Sequence, residues 1–460
     1  MRTEQDKLGF MEIEDDTLYG IQTARALENF NISGKKVNHQ LIRAILITKK
    51  AAAMTHKELG SIEEEKADYI IAACDELLSK DFIIHFPTNA LQGGAGTSTN
   101  MNVNEVIANT ALLLSGRKAG DYSYIHPLDH VNKSQSTNDV YPTALRIAAV
   151  DLVRNLSNVL SKLQESLQQK EQEFESIKKL GRTELMDALP ITLGQEFGAY
   201  AQAISRDRWR IYKVEERLRQ VNLGGTAIGT GSNADRRYTY KVVEQLRDLT
   251  GIGLARAEYP IDLTQNNDVF VEVSGLLKAC AVNLMKISND LRLMNSGPKG
   301  GYGEITLEPL QAGSTIMPGK VNPVIPEMVT QIAIQVMAND SAISFASASG
   351  QFELNAFMPL IADNLLESLE LLVNGITIFR TKCIETILPN EENCRKHLDA
   401  STVYITALVP YIGYTEAEKL SVECHGNPEK IKALLLEKGL LDLDSIEEAF
   451  LSASTYLPTA

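Results

Sequence analysis

Three long stretches of the chain carry apolar residues at alternating intervals of three and four, the spacing that lines one face of an α-helix. The first runs from Thr143, just after Pro142, toward Lys179, with Gly181 closing it, and its apolar positions include Leu145, Ala149, Leu152, Leu156, Val159 and Leu163. The second covers about 264–295, where Phe270, Val273, Leu277, Cys280, Leu284, Ile287, Leu291 and Met294 make an unbroken heptad seam. Ser296, Gly297 and Pro298 then stop it. The third covers about 352–387, with Leu365, Leu369, Leu372, Ile376 and Phe379 in phase and Pro359 as an expected kink. Helices of about 30 to 37 residues are roughly 45 to 55 Å long, more than one compact domain needs. Seams of that length must be covered by other helices, from the same chain or another subunit. The pattern therefore predicts a central bundle of long helices and a homo-oligomer.

Shorter helical patterns occupy 40–59 and 62–79, and two acidic amphipathic helices are expected around 427–452. Strand signals are few and short, and no strand–helix alternation suggests a parallel sheet, so the class is mainly α. The expected division is a mostly helical segment over 1–138, a long-helix bundle over 139–392 and a small helical domain over 393–460.

Charge narrows the function. Acidic residues number 59 against 45 basic, a formal net charge of -14, which argues against nucleic acid as a partner. An anionic small molecule stays open if positive charge is concentrated locally. The N-terminal sequence lacks the apolar core of a secretory signal, and no run of 18 apolar residues suggests a membrane span. The five cysteines are scattered, with no metal-ligand spacing. Buried, reduced thiols in a cytoplasmic protein are expected.

Four segments break the helical pattern with glycine, serine, threonine and asparagine: 93–100, 134–139, 224–231 and 313–323. Short hydroxyl and amide side chains beside exposed backbone N–H groups can hold a carboxylate or phosphate. The same residues also favour ordinary turns and helix caps. Nucleotide binding is disfavoured. Five residues, not four, separate Gly313 from Gly319, Val321 stands where a magnesium-binding hydroxyl would be, and the glycines at 224–231 fit no dinucleotide fingerprint. Within 313–323, Ser314 lies six residues before Lys320. A nearby lysine and converging N–H groups would lower the serine pKa and stabilise an enolate-like dianion.

The 313–323 segment, with Gly313, Ser314, Met317, Pro318, Gly319, Lys320, Asn322 and Pro323, resembles the signature loop of the fumarase/aspartase superfamily. Residues 93–102, 130–139 and 181–196 resemble its other characteristic segments, so the likeness spans essentially the whole chain. Three details resemble the aspartase branch more than class II fumarase: Gly94-Ala95-Gly96-Thr97-Ser98, the run Ser136, Thr137, Asn138, and Val324-Ile325-Pro326-Glu327 after the signature. The resemblance implies a three-domain fold with a tetrameric helical core, each active site being built from three subunits. It implies anti-elimination of ammonia from L-aspartate to fumarate through an aci-carboxylate, with no cofactor and no metal. Ser314 is implied as the base. Lys320 and Asn322 would hold the α-carboxylate region, and the backbone N–H of Thr315 would serve the developing dianion. Thr97, Ser136, Thr137, Asn138 and Thr183 would hold the β-carboxylate and amino group. Glu184 stands where relatives usually carry histidine or glutamine, and the resemblance puts it near Glu327. The alternatives are a lyase acting on another amine adduct of fumarate, a fumarate hydratase, and a catalytically silent helical protein.

Overall fold

The computed structural model of the chain describes residues 1–80, 83–401, 403–424 and 427–452. A hairpin of β1 (Arg2–Asp6) and β2 (Gly9–Ile13) leads into α1 (Ile21–Asn29), α2 (His39–Glu58), α3 (Glu64–Ser79), α4 (Thr97–Leu114) and the long α5 (Thr137–Glu173). A second antiparallel hairpin, β3 (Lys178–Thr183) and β4 (Met186–Thr192), precedes α6 (Leu193–Leu218), α7 (Arg236–Thr250), α8 (Pro260–Gln265) and α9 (Asp268–Met294). Then come α10 (Val324–Ala348), α11 (Met358–Lys382), α12 (Glu391–Asp399), α13 (Val403–Ile412), α14 (Tyr414–Cys424), α15 (Pro428–Glu437) and α16 (Leu443–Ser452). The class is mainly α, as the periodicity predicts.

Two compact units are formed, and neither follows chain order. One comprises Met1–Ser157, Trp209–Ala281 and Ile334–Val373; the other comprises Asn158–Arg208, Val282–Ala333 and Asn374–Ala460. In the first, α4 is buried from Thr99 to Leu112 and packs against α1, α2 and α3. Its polar side chains staple neighbouring backbone: Asn109 donates to the carbonyl of Leu18, and Glu105 accepts from the amides of Gly20, Gln22 and Thr23. In the second, α13 to α16 close on a small core that includes Leu408, Leu420, Ile431, Leu435 and Ile446.

The heptad seam of α9 is buried at all eight positions, and so are Leu365, Leu369, Leu372, Ile376 and Phe379 of α11. Both seams are therefore covered within one chain, and their burial does not itself require a second subunit. In α5 the phase drifts, so that Leu160 is fully buried and Val159 only half-buried.

Several helix boundaries differ from the sequence reading. Helix α5 begins at Thr137 and takes in Pro142. Proline cannot donate to the carbonyl four residues back. That carbonyl, on Asn138, instead accepts from Asn222 Nδ2 at 3.1 Å. The same helix stops at Glu173, and Lys178 and Lys179 belong to β3. Pro359 makes no kink, because it is the second residue of α11, where the backbone N–H has no helical partner. Residues 350–357 lie outside that helix, and Asn355 Nδ2 caps α10 by donating to the carbonyls of Ala346 and Ser347 at 3.0 and 3.1 Å. The stretch from 264 is likewise split, with α9 starting only at Asp268. All five cysteines are buried, and none of them forms a disulfide among the described residues. No helix among the described residues is long and apolar enough to cross a membrane.

Candidate active site

Three of the four polar segments converge in the first unit. The 93–100 segment turns through three successive left-handed residues, Gly94, Ala95 and Gly96, at φ +84, +57 and +97. Glycine is required at 96 for a second reason: a Cβ there would lie 2.3 Å from the ring of buried Tyr141. The turn delivers Thr97 as the first residue of α4, its Oγ1 donating to the carbonyl of Gly94 at 2.7 Å.

Ser136 and Thr137 open α5. Ser136 Oγ accepts from the amide of Asn138 at 3.2 Å, a local cap. Asp139 ties this segment to the 224–231 loop. Its Oδ1 accepts from the amide of Ser136 at 2.9 Å, and its Oδ2 accepts from those of Gly224 and Thr226, both at 3.0 Å. Burial pushes its carboxyl up to about 6, against the pull of these hydrogen bonds. Asn138 Nδ2 adds a bond to the carbonyl of Ala227 at 2.7 Å. Thr137 Oγ1 accepts from Asn100 Nδ2 at 3.1 Å, joining α4 to α5. Asp139 was not among the sequence-predicted site residues, although it closes the segment that carries them.

The second unit holds the remaining candidates. The 313–323 segment has no regular structure up to the start of α10. Its ends are crossed tightly: Asn322 Nδ2 donates to the carbonyl of Gly313 at 2.8 Å, and a Cβ on Gly313 would fall 2.4 Å from the Lys320 carbonyl. Ser314 Oγ accepts from the amides of Ile316 and Met317 at 3.2 and 2.8 Å. Two N–H donors on one hydroxyl oxygen favour its ionised form. Thr315 and Lys320 are exposed, and Lys320 makes no ion pair among the described residues. A cleft of about 750 Å³ is lined by Lys320, Asn322 and Glu327 together with Arg292, Asn289 and Asn390. Ser314, Thr315, Thr183 and Glu184 do not line it.

Thr183 and Glu184 lie at the tip of the β3–β4 hairpin, where Thr183 pairs with Met186 across a two-residue turn. Glu184 and Leu185 form that turn at φ +55 and +65. This is the primed geometry that twisted hairpins prefer, but it is normally filled by asparagine or glycine. Neither residue is suited to it, which is why the sequence carries no hairpin signal here. Glu184 is exposed and makes no hydrogen bond or ion pair with Glu327 or any other described residue of the chain.

The base of this hairpin is fixed by a buried ion cluster that the sequence did not announce. Glu304, with a side chain 0% exposed, meets Arg182 through Oε1 at 2.8 Å and Lys179 through Oε2 at 2.8 Å. The Lys179 contact lies off the hydrogen-bond axis, leaving Oε2 without a directed donor. Lys179 donates to both oxygens of Glu196 at 2.8 Å. Burial opposes its charge, but the two carboxylates outweigh it and hold its pKa above the ordinary lysine value. The Arg182 guanidinium lies 4.2 Å from the centroid of the Tyr302 ring.

A family model described as Lyase matches residues 9–338, and one described as Fumarase C C-terminus matches 405–452. The chain belongs to the fumarase/aspartase superfamily. Among superfamily relatives it is similar to an aspartate ammonia-lyase of a Bacillus species, at 46% identity over 97% of this chain and 96% of that one. The aspartate ammonia-lyase of Escherichia coli K12 is 43% identical over 98% of this chain and 95% of the relative. Of solved structures, a fumarate lyase:delta crystallin from Brucella melitensis bound to cobalt is 44% identical, with a TM-score of 0.94 over 99% of this chain and 100% of that one. A class II fumarase from Schistosoma mansoni is 32% identical, with a TM-score of 0.93 over 98% and 99%. The fold is that of the superfamily, and the long helices read from the heptad pattern are its helical core.

Proposed function

We propose that the protein is a carbon–nitrogen lyase that eliminates ammonia from L-aspartate to give fumarate. The observation that carries this is the near-full-length likeness to aspartate ammonia-lyases at 43 to 46% identity, against 32% to a class II fumarase.

In this reading Ser314 removes the C3 proton. The two amides on its Oγ support that role by favouring the alkoxide. Lys320 and Asn322 hold the α-carboxylate region, while the β-carboxylate, next to the carbon that loses its proton, becomes the aci-carboxylate dianion and is served by the Thr315 N–H. Thr97, Ser136, Thr137, Asn138 and Thr183 hold that β-carboxylate and the amino group. Ammonia departs from C2 anti to the lost proton. The molecule is a homotetramer with sites shared between three subunits, and the division of candidates between two compact units is compatible with sites completed by neighbouring chains. Ile334 and Phe345, three helical turns apart on α10, are exposed in the single chain and support such an assembly. Across a subunit interface, Glu184 and Glu327 would then meet.

Absorbance at 240 nm follows fumarate directly. L-aspartate should give fumarate, and malate should not. Ser314→Ala should lower turnover at least about 10²-fold while the oligomer persists. Near-normal turnover in that variant would refute the assignment of the base. One feature favours a second substrate class: Glu184 places an exposed carboxylate beside Thr183. N-substituted aspartates carrying a second cationic group test it, and activity on them that collapses in Glu184→Gln would support that class.

A further inference from the structure

The four candidate carboxylate ligands of the first unit, Thr97, Ser136, Thr137 and Asn138, are all neutral. A dicarboxylate held there needs a compensating positive charge, because burying an anion without one is costly. The chain as a whole is acidic, so that charge must be local.

A cation lies behind these residues. Lys49, on α2, is 0% exposed. Its Nζ donates to Asn132 Oδ1 at 2.7 Å. The same oxygen accepts from Asn100 Nδ2 at 3.2 Å and Asn104 Nδ2 at 3.1 Å. Asn100 Nδ2 is shared with Thr137 Oγ1 at 3.1 Å. An unbroken polar path thus runs from Lys49 through Asn132 and Asn100 to Thr137. Asn132 Nδ2 donates to the carbonyl of Gln135, fixing the segment immediately before Ser136.

The ammonium is under-satisfied where it sits. It has three N–H donors and one hydrogen-bond acceptor. The groups that bear on it electrostatically are Asp139 of α5 and Cys74 of α3. Asp139 makes no ion pair with it, its oxygens being taken by three backbone amides. Burial holds the Cys74 thiol up at about 12 and so neutral. The amide oxygens of Asn100 and Asn104 are themselves buried without partners. Burial brings Lys49 down to about 7 even against the pull of Asp139 and Cys74, so its charge is poorly compensated where it sits.

We propose that Lys49 is a positioning residue that gives this half of the site its preference for a carboxylate. Through Asn132 and Asn100 it orients Thr137, and its charge is compensated by the anion that Thr137 receives. The proposal rests on the pocket assignment given above and extends it to a residue that does not touch substrate.

The test compares binding of succinate, a dianion, with succinamate, in which one carboxylate is a neutral amide. Affinities are measured by calorimetry on the intact oligomer, alongside KM and kcat for aspartate. Lys49→Met fills nearly the same volume without charge. It should weaken succinate at least about tenfold, equivalent to ~1.4 kcal/mol, and leave succinamate nearly unchanged, so the preference between them collapses. KM for aspartate should rise more than kcat falls. A purely structural lysine would shift the melting temperature and leave the succinate-to-succinamate ratio as in wild type; that result overturns the proposal. Should Lys49→Met fail to fold, Asn132→Asp carries the test, since it gives Lys49 a direct counterion and should cause the same selective loss. An unchanged ratio there is equally fatal. Thr137→Ala is run in parallel. If it weakens succinate while Lys49→Met does not, the pocket stands and the role of Lys49 falls. If Lys49→Met weakens succinate while Thr137→Ala does not, the pocket assignment falls and takes the relay from Lys49 through Thr137 with it.

Discussion

Glu304→Gln tests whether the buried ion cluster holds the hairpin that carries Thr183. The substitution keeps the side-chain volume and removes one negative charge. In the native cluster two cations, Lys179 and Arg182, face two carboxylates, Glu196 and Glu304. After substitution one positive charge is unmatched in a fully buried place. Removing one partner of a buried pair costs about 3–5 kcal/mol. That figure is reduced here, because Glu196 still faces Lys179 through both oxygens and Arg182 keeps 14% exposure and the Tyr302 ring. A loss of about 2–4 kcal/mol is therefore expected. For a cooperative unit of this size that is a fall in melting temperature of at least about 5 °C. The assay is thermal unfolding of the purified protein, with kcat/KM for aspartate measured below the transition. Activity should fall with stability, since the base of the hairpin loosens. Adding Lys179→Met to Glu304→Gln removes one charge of each sign and should recover part of the loss. A melting temperature within about 1 °C of wild type would refute the reasoning, because no other carboxylate is in contact with Arg182 among the described residues.

Gly96→Ala should destabilise by more than about 2 kcal/mol, combining the left-handed backbone with a Cβ driven into Tyr141; denaturant unfolding measures it, and a cost below about 0.5 kcal/mol would contradict the packing. Leu185→Gly should raise the melting temperature, by relieving about 1 kcal/mol of left-handed strain at the hairpin tip; a lower melting temperature would show that Leu185 is held by contacts worth more than the strain. Glu105, buried on α4, has its carboxyl raised to about 7 by desolvation. The folded chain keeps this proton to higher pH than the unfolded chain does. Stability from this group is therefore present at low pH and lost as pH rises from the ordinary carboxylate range through about 7. Glu105→Gln should flatten that part of the pH–stability profile, and an unaltered slope between the two values would remove Glu105 as its source.

What the sequence determined by itself is the set of long helices, because a period near 3.6 is imposed by burial of one face and is written in the residues that pay for it. The α9 seam is legible from Phe270 to Met294 for that reason, as is the run from Leu365 to Phe379. The candidate loops stood out too, since Gly96, Ser136 and Ser314 sit in segments whose polar, glycine-rich composition no core explains. Tertiary structure decided the rest. Pro142 is inside a helix only because Asn222, 80 positions away, supplies the donor that proline lacks. The β3–β4 hairpin was invisible because Glu184 and Leu185 adopt turn angles that neither residue favours, held there by an anchored hairpin base rather than by local preference. Lys49 stands in phase with Ile42 and Ile45 on the buried stripe of α2, but nothing local distinguishes it from its neighbour Lys50 as a residue with a partner. Only the fold brings α2, α4 and the start of α5 together around Asn132. Helical period is a local property that each residue records in its own polarity. The partners of a buried charge or a strained turn are distant in sequence, and their identity is fixed only when the chain has folded.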